Sequence, residues 1–562
     1  MQGKRIGIGF VVGIVAIAAI VFGVLHFTRN SGKTERVIDA EEAQTTLEEL
    51  VSNISPTTAT PHKSSVEYAE EDIAADELPE LDPEKLAVRA TTKTFAEIWA
   101  SPEKAGTGTD GWMREMAEQF NATNPQVNGK DASIQLRSMS SGLAVDYIAT
   151  GKASPAGYTP SNMLFVELLA ARGAKTEVIR ERTVGNVPGI LLDEEHYDAI
   201  VEKYGTVDLK SVTEAVAAGE LTMGYTNPFT SSTGLNFLVS CLLRYDRENP
   251  LSKKATEGFL QFQANVPFVA LTTLQMRDAA ERGSFDGLVL EWQLYQNDPA
   301  LKANYKFTPF GYRHDNPLVA CPSATEDQKA ILEAFAKYCD ENGRELADSY
   351  GFNGKDDYVS ELPEVSGETL VAAQSLYKEN KDTGRSVVAV FVADVSGSMS
   401  GEPLNQLQSS LINSMRYINE SNYVGLVSYS DDVTIELPVD QFDINHQAYF
   451  KGAVEGLRAA GGTATNDGII VAADLIQKAL ADKPDAKPMI FLLSDGEANA
   501  DTVSFQDMKA VIGSLRIPVY TIGYNANIEA LEQISSINEA ASIDASTSDV
   551  TYQLKNLFNA NM

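Results

Sequence analysis

The sequence predicts an α/β protein with an N-terminal membrane-spanning helix and two globular regions, the second built on a doubly wound sheet. Three observations predict it. Ile6 to Leu25 carries no charge. Beyond residue 87, apolar β-branched runs of strand length alternate with helical patterns, the signature of sheets covered by helices. In the last region, carboxylates and hydroxyls cluster directly after such runs. The 562 residues exceed what one core supports, and at about 150 residues per domain they predict several lobes.

Composition narrows the partners. With 45 Lys and Arg against 78 Asp and Glu, the formal charge is -33. Nucleic-acid binding needs clustered cations that release counterions, so a nucleic-acid partner is excluded. Adhesion to an anionic lipid surface is disfavoured for the same reason. Cys241, Cys321 and Cys339 show neither a CxxC spacing nor a nearby histidine pair, which argues against zinc. Their expected state is buried free thiol, with a Cys321–Cys339 disulfide as the alternative.

The stretch IGIGFVVGIVAIAAIVFGVL has the length, about 20 residues, that a helix needs to cross the hydrocarbon layer. A cleaved signal peptide is the competing reading, but its apolar part is shorter and ends in a small-residue cleavage site. Lys4 and Arg5 precede the span while Arg29, Lys33 and Arg36 follow it, so charge does not fix its orientation. Gly9 and Gly13 would let two such helices approach closely. Residues 1–31 are thus the expected anchor in a cell membrane, single-pass, with the globular domains outside the cytoplasm. Residues 32–86, rich in Glu, Asp, Thr and Pro, are expected to form an acidic, disordered stalk.

Between residues 87 and 380 the order TFAEIWA, GWMREMAEQFN, ASIQLRS, GLAVDYIATGK predicts a parallel sheet with helices. Two strand-to-helix junctions are built from small hydroxyl residues: Ser138, Ser140, Ser141 and Gly142, then Thr230, Ser231, Ser232, Thr233 and Gly234. The first turn of a helix carries unpaired N–H donors and partial positive charge, so such a junction can hold an anionic or polar ligand without Lys or Arg. Plain N-capping is the alternative role. The stretches SSGLAVDYIATGKASPAGYTPSN, VGNVPGILL, YTNPFTSSTGLNFL, GSFDGLVLEWQLYQ and FTPFGYRHDNPLVACP resemble the bacterial extracellular solute-binding proteins. That resemblance implies two lobes joined by a hinge, with a small polar or anionic solute in the cleft. Its candidate ligands are Ser101, Thr107, Ser140, Ser141, Thr230, Ser231, Ser232 and Thr233, with Trp99, Trp112 and Trp292 lining it or serving as core.

In residues 386–562 the runs SVVAVFVA, YVGLVSY, PMIFLLS and PVYTIGY read as buried parallel strands, with helical patterns between them. Ligands of such sheets sit beyond the carboxyl ends of the strands. There lie Asp394, Ser396 and Ser398 in DVSGS, Thr463 in GGTAT, and Asp495 in LLSDGE. These donors are all hard oxygens, which suit Mg2+ or Mn2+. Their order and spacing resemble the metal-ion-dependent adhesion site of the von Willebrand factor type A family. The resemblance implies a doubly wound, Rossmann-like domain in which Ser396, Ser398 and Thr463 bind the metal through hydroxyls, and Asp394 and Asp495 act directly or through water. A protein partner would supply a carboxylate to the remaining position.

An enzyme is not expected. None of the five histidines stands in a metalloprotease or nucleophile motif, and GxxxxGK[ST] is absent. The expected function is a membrane-anchored extracytoplasmic binding protein, adhesive through its metal site and capturing a solute. The alternative is a solute receptor of a transport or sensing system that uses the last domain for assembly.

Overall fold

The computed structural model describes residues 38–66, 78, 81, 83, 86–266, 268–270, 273–280, 286–380, 386–496 and 498–524, with short pieces of 531–562. The apolar stretch Ile6–Leu25 lies outside the described residues; among those described, no helix is long and apolar enough to cross a membrane.

The C-terminal domain is a seven-stranded sheet in the order Thr57–Thr58, Val433–Gln441, Tyr423–Tyr429, Val387–Asp394, Lys487–Ser494, Val519–Gly523, Ser542–Asp544. Neighbours are parallel except Tyr423–Tyr429 with Val433–Gln441. The central strand Val387–Asp394 is buried along its whole length, and its two-residue period sorts the cores on either side of the sheet. Ala389, Phe391 and Ala393 pack with Leu404, Leu407, Leu411 and Phe450. Val388, Val390 and Val392 pack with Ile469, Ile476, Met508 and Val511. Helices therefore cover both faces.

The predicted stalk is corrected over its first part. Ala40–Ile54 is a helix, N-capped by Asp39, whose side chain accepts from the backbone of Glu41 and Glu42. Ala43 and Leu47 are fully buried in the same core as Val390 and Ile469. Thr57 and Thr58 then pair with Thr434 and Ile435 at the sheet edge. Farther on, a Cβ on Gly452 would lie 1.9 Å from the carbonyl oxygen of His62. The acidic composition hid an apolar stripe: Ala43, Leu47, Leu50, Val51 and Ile54 recur at helical spacing and lie buried or packed against that core. Most of the acidic run from Glu67 to Glu84 lies outside the described residues.

Residues 94–320 build two further sheets. One runs Gln126–Val127, Lys130–Ser138, Thr94–Ala100, Gly157–Thr159, Leu318–Ala320, Glu177–Arg180; the other runs Tyr305–Pro309, Pro188–Asp193, Gly287–Glu291, Met223–Thr226, Phe268–Ala270. The chain leaves the first sheet after Glu177–Arg180 and returns at Leu318–Ala320, so two crossings join two lobes. Each lobe has a parallel core of three strands. The TFAEIWA and ASIQLRS runs pair in parallel as predicted, and the sheets are mixed because strands near the crossings, Leu318–Ala320 and Pro188–Asp193, lie antiparallel to their neighbours. Trp99 and Trp112 are core residues, 2% and 1% exposed, rather than cleft lining. The cysteines are buried and free, and burial pushes the Cys321 thiol up to about 12.

Candidate functional site

The strand Val387–Asp394 ends on a fully buried Asp394. Its Oδ1 accepts from the backbone N–H of Ser396 at 2.8 Å. Its Oδ2 accepts from Ser494 Oγ at 2.6 Å and from the Tyr429 hydroxyl at 3.3 Å. Both oxygens are thus engaged by the protein, which favours a role through water over direct ligation. The turn carries Ser396 and Ser398 upward, their hydroxyls 3.0 Å apart. Ser398 Oγ in turn donates to Asp495 Oδ1 at 2.9 Å, from the loop that follows Lys487–Ser494. Three of the five predicted side chains therefore form a continuous run of oxygens at the rim.

Thr463 arrives on the third loop. Gly397 N–H donates to the Gly461 carbonyl at 3.0 Å, tying that loop to the Asp394 turn. Gly461 has a φ of +81°, and a Cβ there would lie 2.5 Å from Asp431 Oδ2; glycine supplies both the conformation and the space. Asp431 also accepts from Gly462 N–H at 2.9 Å. Asn499 holds Thr463 from the other side, its Oδ1 accepting from the Thr463 N–H at 3.0 Å.

The donor set fits a small divalent cation. Cis oxygens around Mg2+ at about 2.0–2.1 Å lie about 2.9 Å apart, and the Ser396–Ser398 and Ser398–Asp495 separations, 3.0 and 2.9 Å, have that edge length. Burial, reinforced by the charge of Asp394 and opposed by the Ser398 hydrogen bond, raises the Asp495 carboxyl above its ordinary value. A cation would reverse that penalty.

Sequence reasoning missed the supporting residues. Ser494 stands beside Asp495 at the strand end, a signal within reach. Tyr429, Asp431 and Asn499 are placed only by tertiary folding. It also missed Asp193, His196 and Asp286, whose ligand atoms lie within 4.8 Å of one another. There His196 Nδ1 meets Asp193 Oδ1 at 2.9 Å and Nε2 lies 3.7 Å from Asp286 Oδ2. Those carboxylates already accept from His196 N–H and Thr222 N–H, so capping and the hydrogen bond to the His196 ring account for them.

The solute candidates behave differently. Ser101, Ser141, Thr230, Ser231, Ser232 and Thr233 are buried, Ser140 is half-buried and Thr107 is exposed. The helices Ser141–Thr150 and Ser232–Tyr245 meet start to start: Ser232 Oγ donates to Ser141 Oγ at 3.0 Å, and Gly142 N–H donates to the Thr230 carbonyl at 3.2 Å. Ser101 and Ser161 face each other at 3.3 Å. Thr233 donates to Glu291 at 2.9 Å. Thr107 lies apart, on a groove lined also by Arg114 and Tyr350. Trp292 packs on Phe307, with Lys355 over its ring.

Residues 389–560 match the family model of the von Willebrand factor type A domain. An uncharacterized protein of Synechocystis sp. is 28% identical over 172 residues, 30% of this chain and 40% of that protein. Inter-alpha-trypsin inhibitor heavy chain H3 of Mus musculus is 29% identical over 159 residues, 26% of this chain and 18% of that protein. The matches thus span less than half the length of these relatives. Among solved structures, a von Willebrand factor type A protein from Catenulispora acidiphila covers 31% of this chain and 42% of its own, at 19% identity and a TM-score of 0.28. A periplasmic thiamin binding protein covers 51% and 96%, at 11% identity and a TM-score of 0.39. The sulfate-binding protein SubI from Mycobacterium tuberculosis H37Rv covers 46% and 86%, at 14% identity and a TM-score of 0.34.

Proposed function

We propose that this chain is a non-catalytic binding protein, anchored in a cell membrane with its domains outside the cytoplasm, that recognises a protein partner through a divalent cation on its von Willebrand factor type A domain. The observation that carries the reading is the run of oxygens Ser396 Oγ, Ser398 Oγ and Asp495 Oδ1, spaced at 3.0 and 2.9 Å. Ser396, Ser398, Thr463 and Asp495 would hold Mg2+ or Mn2+, and Asp394 would act through water, since both its oxygens are engaged. When bound, the cation supplies a Lewis-acidic position for a partner's carboxylate. The chain's own contribution is orientation: Ser494 and Tyr429 fix Asp394, while Asn499 and Asp431 fix the Thr463 loop.

The two lobes supply a second binding function, capture of a small polar solute at their junction. Support comes from the double crossing and from the polar side chains buried between the lobes. Calorimetric titration of the full-length protein in detergent with Mn2+ and Mg2+ tests the metal reading. One saturable site, lost in Asp495→Ala, supports it; no divalent-dependent heat and no rise in unfolding temperature rejects it.

A further inference from the structure

A turn of the first lobe, residues 101–111, reaches across into the second. Thr273 Oγ1 donates to Glu103 Oε1. Arg277 pairs with Asp110 at 3.0 Å, and Gln293 Nε2 donates to the Thr109 carbonyl at 2.9 Å. Behind this seam lie two buried carboxylates and one buried ammonium. Glu291, 2% exposed, accepts from Thr233 and Asn186 and meets His314 Nδ1 at 2.9 Å. Lys104, fully buried, donates to the Pro160 carbonyl at 3.1 Å and to Asn316 Oδ1 at 2.8 Å.

Four polar atoms of this region have no hydrogen-bond partner among the described residues: Glu103 Oε2, Thr159 Oγ1, Thr226 Oγ1 and Gln293 Oε1. The two threonines are equivalent. Each closes a Gly-Tyr-Thr strand end, Gly157–Thr159 in one lobe and Gly224 to Thr226 in the other. Thr159 pairs in register with Ala100, just before the Glu103 turn, and Thr226 with Ala270, just before Thr273. The four residues therefore stand at or just beyond the carboxyl ends of strands in the parallel cores of the two lobes. The amide oxygen can only accept, the carboxyl oxygen accepts when ionised, and the hydroxyls can do either.

We propose that the solute captured between the lobes is a hydrogen-bond-donating cation, an amine, with Glu103 as its principal partner. This rests on the reading that the lobes capture a solute, and it replaces the oxyanion expected from the hydroxyl-rich helix starts. One hydroxyl and one N–H of those starts are spent across the junction, Ser232 on Ser141 and Gly142 on Thr230, and both Lys104 donors that are placed go to protein oxygens. Glu291 is already offset by His314 and Lys104, so an oxyanion would meet Glu103, whose Oε2 no donor occupies among the described residues. An amine would satisfy Glu103 Oε2 and keep its carboxylate ionised. Burial first, then the charge of Glu291, holds the Glu103 carboxyl above its ordinary range, the direction a cationic ligand would relieve.

The test is calorimetric titration of the full-length protein with putrescine and L-arginine as amines, choline as a cation without N–H donors, sulfate and phosphate as oxyanions, and glucose as a neutral polyol. The expected result is saturable binding of putrescine or arginine, with choline weaker. Affinity should fall at least about tenfold in Glu103→Gln, which loses a charge-assisted bond. Thr159→Val, which keeps the shape and removes one hydroxyl, should weaken it less, and the unfolding temperature of each variant confirms that it folds. Binding of sulfate or phosphate in preference to the amines, unchanged or strengthened by Glu103→Gln, overturns the amine assignment and leaves capture standing. Heat from glucose alone does the same. No binding by any probe overturns capture itself.

Discussion

The rim of the C-terminal sheet and the junction between the lobes begin from the same local chemistry, small hydroxyl residues where a strand hands over to a helix, and in both two serine hydroxyls lie 3.0 Å apart, yet they differ in exposure. At the rim, Ser398 stays exposed and hydrogen-bonds to a half-exposed Asp495. At the junction, Ser141 and Ser232 are buried and spend their hydroxyls on each other. The difference teaches that a hydroxyl-rich helix start does not specify a ligand. What specifies one is what its neighbours leave unsatisfied. At the rim that is the solvent-facing side of hydroxyls and a carboxylate that otherwise bond one another; at the junction it is Glu103 Oε2, which has no partner among the described residues.

The sharpest way to break the comparison is Asp495→Ala, which should abolish divalent-dependent stabilisation outright, while Ser232→Ala leaves it untouched; thermal unfolding with and without Mn2+ reads both. A Gly→Ala pair separates the regions by packing. On Gly142 a Cβ would lie 1.7 Å from the Phe229 carbonyl oxygen, whereas on Gly496 nothing lies within 4 Å. Gly142→Ala should therefore cost about 1–3 kcal/mol in chemical denaturation, against within about 0.5 kcal/mol for Gly496→Ala. Ser494→Ala removes the 2.6 Å bond to Asp394 without touching a metal-facing residue, and should weaken Mn2+ binding about tenfold.

The smallest effect is on pH. Burial lowers the Lys104 ammonium to about 7, opposed by Glu103 and Glu291. Between that value and its unfolded value near 10.5, the unfolded chain binds the extra proton, so stability must rise with pH across this window and fall as pH drops through it. The unfolding midpoint of the two-lobed region should climb from pH 7 to 10, and Lys104→Met should flatten the climb.

How much of this was legible in the sequence follows from what each signal depends on. The C-terminal sheet was readable because Val387–Asp394 is buried on both faces, which forces an unbroken apolar run. Asp394, Ser396, Ser398 and Asp495 were readable because they stand at or just after the ends of such runs, whereas Thr463 follows a helix and is marked only by its GGTAT setting before the next one. The stalk was misread because residues 32–86 were averaged as acidic, while Ala43 and Leu47 act one turn apart. The junction was half readable: its hydroxyls stand in sequence, but Glu103, Lys104, Glu291 and His314 come from segments up to about two hundred residues apart, and only tertiary folding makes them neighbours. The anti-parallel crossing strands were lost for the same reason, since nothing local distinguishes a strand that returns from one that continues.

The most direct measurement is anomalous diffraction from crystals of the protein grown with Mn2+. The account predicts one manganese peak bonded to the hydroxyls of Ser396 and Ser398, within reach of Thr463 and Asp495. A peak only at Asp193, His196 and Asp286, or none at the C-terminal rim under saturating Mn2+, would contradict it.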